Sequence, residues 1–138
     1  MILVDASFLV KVLLEEEGSD RAREVLRKAL EAGERILTVD TALPEALNAL
    51  WKHRVLLKDL DEGECRSAVG ELTELWSRLD VIPSSDVARD AFEIAVRDGI
   101  TVYGALYLAA SILRNSSLAT FDEVLREKAL EHGVHVLP

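Results

Sequence analysis

The chain alternates between short continuous apolar runs and longer stretches whose apolar positions recur every three or four residues. "MILVD" at residues 1–5 is apolar up to a carboxylate, which reads as a buried strand feeding directly into a helix. "SFLVKVLLEEE" supplies that helix, although it is so uniformly apolar that spacing alone does not fix its period. After Gly18, Ala22, Val25, Leu26, Ala29 and Leu30 fall on one helical face, and Gly33 provides a stop. "RILTV" returns to strand character. "TALPEALNALWKHRVL" is helical, with Pro44 tolerated near its start, and a further helix covers about Asp61 to Trp76, opened by an aspartate.

The second half repeats the alternation. "LDVIP" is a strand closed by a proline, and "SSDVARDAFEIAVRDG" is a helix with serine caps and a terminal glycine. A helix from about Val102 to Leu113 buries most of its surface. The strand "SLATFD" ends in a carboxylate, "EVLREKALEHG" is a helix, and "VHVL" is a last strand. Strands that alternate with helices of this length imply βαβ units and a parallel sheet covered on both faces. No Pro-, Gly- or Ser-rich linker and no internal repeat divides the chain, so residues 1–138 are expected to form one domain.

Ligands of such sheets sit beyond the carboxyl ends of the strands, and this rule gathers scattered acids into one candidate site. Asp5 ends the first strand, Asp122 follows "LAT", and Glu45 lies in the first turn of the helix after the second strand. Three oxygen donors there suit Mg²⁺ or Mn²⁺, hard ions that polarise phosphate and activate water. The same residues have structural readings. An aspartate at a strand end is commonly an N-cap, which fits Asp122, and Glu45 is a first-turn acid favoured by the helix dipole. Asp5 directly after "MILV" is harder to explain, because a half-buried carboxylate is costly without a partner.

Charge narrows the partners. A net charge of −9 opposes a basic-faced reader of nucleic acid but not an enzyme that meets phosphate through a cation held by carboxylates. The single cysteine, Cys65, forms no internal disulfide, and no apolar run is long enough to span a membrane. The start lacks a basic leader, so a cytoplasmic address is expected. Glutamine is absent while Glu, Arg and Leu abound, a bias of proteins from hot environments.

The segments "MILVDASFLV", "LPEALNAL", "VYGALYLAA" and "LATFDEVLREKALEHGVHVL" together resemble PIN-domain proteins, specifically the small VapC-type toxins of toxin–antitoxin pairs. The resemblance runs through the whole chain in the expected order. It implies a three-layer α/β/α sandwich with a central parallel sheet, a homodimer, a cognate VapB-like antitoxin as partner, and Mg²⁺- or Mn²⁺-dependent cleavage of RNA. By position, Asp5 and Glu45 match the family's first two acids and Asp122 the acid after the fourth strand. Ser7 and Thr120 match hydroxyl residues beside the metal. The remaining family acid belongs to a "YDA" triplet, which here reads Tyr103, Gly104, Ala105. Asp40 and Asp98 are the nearest substitutes, Asp98 being separated from the helix by Gly99.

Other features carry less. His132 and His135 flank a glycine and read as surface residues, and Lys52, His53 and Arg54 as a solvated helix face able to touch phosphates. Trp51 and Trp76 read as packing or partner contacts. Because of Gly104, two functions compete: a metal-dependent ribonuclease, and a PIN scaffold that binds antitoxin or RNA without cutting it. A nucleotide-binding α/β domain ranks third for want of a glycine-rich loop.

Overall fold

The computed structural model describes residues 1–138. Its strands are β1 (Ile2–Val4), β2 (Ile36–Val39), β3 (Asp80–Ile82), β4 (Ser117–Ala119) and β5 (Val136–Leu137). They form one parallel sheet in the order β3-β2-β1-β4-β5. The helices are α1 (Ala6–Leu13), α2 (Ser19–Glu31), α3 (Ala42–Trp51), α4 (Glu62–Trp76), α5 (Ser84–Asp98), α6 (Val102–Arg114) and α7 (Glu123–Glu131).

Right-handed crossovers decide the layers. The chain steps from β1 through β2 to β3 in one direction, then returns past β1 to β4 and β5 in the other, so the intervening helices fall on opposite faces. α1 to α4 pack among themselves, as do α5 to α7, and α6 lies against β1, β2 and β4. This is the expected α/β/α sandwich. β1 and β2 are buried at every position, as a strand covered on both faces must be. α6 is buried without interruption from Ala105 to Ser111, which explains its lack of amphipathic period. No helix is long and apolar enough to cross a membrane.

Two helix ends differ from expectation. α1 stops at Leu13 and does not continue through Glu15, Glu16 and Glu17. Three consecutive carboxylates would oppose the negative end of the helix dipole. The chain turns out instead: Ser19 Oγ (2.6 Å) and Arg23 Nη2 (2.9 Å) both donate to the Leu14 carbonyl. The helix expected to run to Leu56 is α-helical only to Trp51, then widens into a π-helical turn, Lys52–Leu57, closed by Lys58 in the left-handed region.

Gly18 is a glycine at which both the backbone and the space around it require the missing side chain. It has φ +91°, and a Cβ there would lie 2.8 Å from Phe121 Cε1. That ring stacks on the fully buried Phe8, with centroids 6.2 Å apart and planes 26° from parallel, so it has little room to yield. Gly18→Ala is therefore expected to destabilise the protein by roughly 1–3 kcal/mol through left-handed strain and overpacking, seen as a lower urea midpoint.

Candidate active site

The direction of the chain through the sheet reverses at the gap between β1 and β4, and parallel sheets open a crevice at such a point beyond their carboxyl ends. Asp5 stands there, only 3% exposed. Its Oδ1 accepts from the Phe8 amide (2.8 Å), capping α1, and from the Ser7 hydroxyl (2.7 Å). Its Oδ2 accepts from the Thr120 hydroxyl at 2.5 Å. Every one of these donors is neutral. Burial accordingly raises the Asp5 pKa to about 6, against the partial opposition of Thr120, Ser7 and the Phe8 amide, and the nearby Asp122 charge pushes it further up.

The loop after β4 completes the cluster. Thr120 Oγ1 accepts from the Asp122 amide (3.0 Å), and Ser7 Oγ from the Phe121 amide (2.9 Å). Two hydroxyls thus tie the β1–α1 and β4–α7 junctions together across a separation of 115 residues. Asp122 uses Oδ1 to cap α7 through the Leu125 amide (3.1 Å). Asp5 and Asp122 are both caps and both at the crevice; one role does not displace the other.

Glu45 stands in the first turn of α3, the helix that follows the carboxyl end of β2. Its Oε1 accepts from the Tyr107 hydroxyl at 2.9 Å. Burial raises its pKa, with Tyr107 pulling the other way. Tyr107 is 2% exposed, and its pKa is raised by burial, then by the charges of Glu45 and, more weakly, Asp5. Its hydroxyl therefore stays protonated and links Glu45 to the neighbourhood of Asp5. Spacing gave no sign of this residue, which was one more apolar position in a buried helix. Tyr107→Phe is expected to lower stability by about 1.5–3 kcal/mol at neutral pH, the range for a hydrogen bond to a charged group, measurable by urea unfolding.

Gly104 sits one turn before Tyr107 on α6, its amide capped by Thr101 Oγ1 at 3.2 Å. The two substitutes are engaged elsewhere. Asp40 Oδ2 accepts from the Ser84 amide (3.0 Å) at the start of α5, and Asp98 is bonded to His132 (2.6 Å). His135 meets Ser117 (3.1 Å), so the two histidines have separate partners. His53 is held by Asp59 at 2.8 Å. Trp51 is exposed, whereas Trp76 packs against the core.

No three acidic, histidine or cysteine side chains form a ready ligand set in this arrangement. The donor chemistry still fits a hydrated hard cation. Asp5 and Glu45 are desolvated carboxylates whose partners carry no charge, and Mg²⁺ characteristically binds through one or two carboxylates while keeping several waters.

The family description "PIN domain" matches residues 2–131. The chain belongs to the PIN-domain family. It is 36% identical to Ribonuclease VapC3 of Pyrobaculum aerophilum over 92% of this chain and 93% of that one. Among solved structures, PAE2754 of P. aerophilum superposes with a TM-score of 0.71 at 25% identity, covering 98% of this chain and 82% of that one. VapBC2 of Rickettsia felis, bound to a DNA fragment from its promoter, gives a TM-score of 0.66 at 15% identity over 99% and 97%, a likeness of fold. This PIN domain is thus a homologue of VapC-type ribonucleases, among which dependence on a divalent metal is general.

Proposed function

We propose that this PIN domain is a divalent-metal-dependent endoribonuclease, the toxin of a toxin–antitoxin pair, with Asp5, Asp122 and Glu45 as its acids. The observation that supports it most is Asp5: a carboxylate buried at the reversal point of the sheet, held by three neutral donors, beside a second carboxylate. Nothing in the packing of β1 asks for a buried negative charge at that place, and its cost is offset when a cation binds.

Asp5 and Asp122 would hold Mg²⁺ or Mn²⁺, with Glu45 as the third acid. When bound, such an ion polarises the phosphodiester and lowers the pKa of water. The protein groups do the remaining work. Ser7 and Thr120 fix both oxygens of Asp5, so its carboxylate is set before substrate arrives. Tyr107 holds Oε1 of Glu45, which leaves Oε2 to accept a proton from attacking water, and the raised pKa suits that role.

The partner surfaces follow from uncovered apolar side chains. Trp51, Val55, Leu56 and Leu57 crowd the end of α3 and its π-helical turn, and Phe92 and Val96 stand one turn apart on α5, 62% and 69% exposed. Two such faces match the needs of a homodimer and a VapB-like antitoxin, in keeping with the VapBC2 complex. A cytoplasmic address would give such an enzyme access to cellular RNA.

Gly104 specifically favours a second reading, a PIN scaffold that binds antitoxin or RNA without cutting. One assay separates the two. Labelled single-stranded RNA is incubated with the protein and Mg²⁺, Mn²⁺ or EDTA, at elevated temperature in view of the composition. Cleavage that EDTA abolishes supports the nuclease; intact RNA with folded protein under both metals overturns it.

A further inference from the structure

Phe121 lies between Thr120 and Asp122, and its ring is fixed by Phe8 on one side and Gly18 at its edge. Two cations stand over it. Lys11 Nζ is 5.7 Å and the Arg21 guanidinium carbon 6.0 Å from the ring centroid, within the range of cation–π attraction. They come from α1 and α2, each of which brings one cation to this ring.

Their pairing differs. Lys11 meets Glu16 at 3.3 Å, and nearby Arg23 meets Glu15 at 2.6 Å. Arg21 is exposed and forms no ion pair, although acidic residues outnumber basic ones by 25 to 16. A guanidinium seated on an aromatic face keeps its in-plane N–H donors free, and those donors match the geometry of a phosphate. In a chain whose overall charge repels polyanions, an unpaired arginine over the ring of Phe121, the residue between Thr120 and Asp122, gives the nucleic acid a local foothold.

We propose that Arg21, seated on the Phe121 ring and supported by Lys11, binds the RNA backbone phosphate that flanks the linkage being cut. The assignment rests on the nuclease reading above and adds a phosphate contact next to the loop that carries Thr120 and Asp122.

The test compares the parent with Arg21→Gln, Arg21→Lys and Arg114→Gln; the last removes one charge at the far end of α6. Binding of a fluorescent single-stranded RNA is measured by anisotropy in Ca²⁺ over a salt series, and cleavage by steady-state kinetics in Mg²⁺ or Mn²⁺. Arg21→Gln is expected to weaken binding about 3–10-fold and to lower the slope of log affinity against log salt by about 0.7, the value for one phosphate contact on a single strand. KM should rise with kcat little changed, Arg21→Lys should retain most of the salt slope, and Arg114→Gln should match the parent. Arg21→Gln with the parent's affinity and slope overturns the assignment alone. A parent that binds RNA yet cuts none overturns the nuclease reading, while the binding comparison still decides whether Arg21 holds phosphate.

Discussion

Asp5→Asn protein is expected to lose RNA cleavage by roughly 100-fold or more, beyond what losing a group that only hydrogen-bonds to a metal ligand costs, yet to melt higher than its parent at pH 8 without divalent ions. Asparagine caps a helix as well as aspartate does, so α1 keeps its start. The gain comes from the charge. The Asp5 pKa is about 6 in the folded protein against 3.8 as the ordinary value, so the folded chain binds the proton more tightly than the unfolded chain. Stability contributed by this group is full below the unfolded value and is lost as pH rises from about 4 through 6. The loss is at most about 3 kcal/mol, because raising a pKa tenfold in proton affinity is worth about 1.4 kcal/mol. Thermal melts in EDTA from pH 4 to 8 should show the parent falling away from Asp5→Asn across that interval, and added Mg²⁺ or Mn²⁺ should restore the parent alone. Parallel melting curves, or full cleavage by the variant, would remove Asp5 from the site.

Gly104→Asp is expected to raise cleavage about 10–100-fold and to tighten binding of Mn²⁺. The backbone accepts the change. Gly104 is in ordinary helical conformation, and a Cβ would meet Thr101 Oγ1 at 3.7 Å and Leu125 Cδ1 at 3.9 Å, both normal contacts. An acid at the third position of α6 also suits the positive end of the helix dipole. The new carboxylate would stand one turn from Tyr107, whose hydroxyl already serves Glu45. Folding should therefore be preserved, and the change read in activity and in metal titration followed by calorimetry. Equal activity and equal Mn²⁺ affinity in parent and variant would mean that position 104 does not face the acids.

The alternation of apolar runs and helical periods was enough to place every strand and helix in order, because a parallel sheet buried on both faces leaves so direct an imprint. Helix ends were less legible where electrostatics decided them, as at Leu13, where three following glutamates end α1. Asp5 and Asp122 were visible because strand ends of an α/β fold share one rim. What joins them was not: the hydroxyl bridge through Thr120 spans most of the chain, and no local pattern records it. Tyr107 and Phe121 were hidden for another reason. Each fills an apolar position, and the partner of its hydroxyl or ring face comes from a distant segment, Glu45 in one case and Arg21 in the other.

The placement of β1 in the middle of the sheet, flanked by β2 and β4, bears on how the protein is made. Translation delivers Asp5 first and its partners Thr120 and Asp122 more than a hundred residues later. A nascent chain therefore cannot close the hydrogen bond from Thr120 to Asp5, which joins the β1–α1 and β4–α7 junctions, until nearly all of this sequence has left the ribosome.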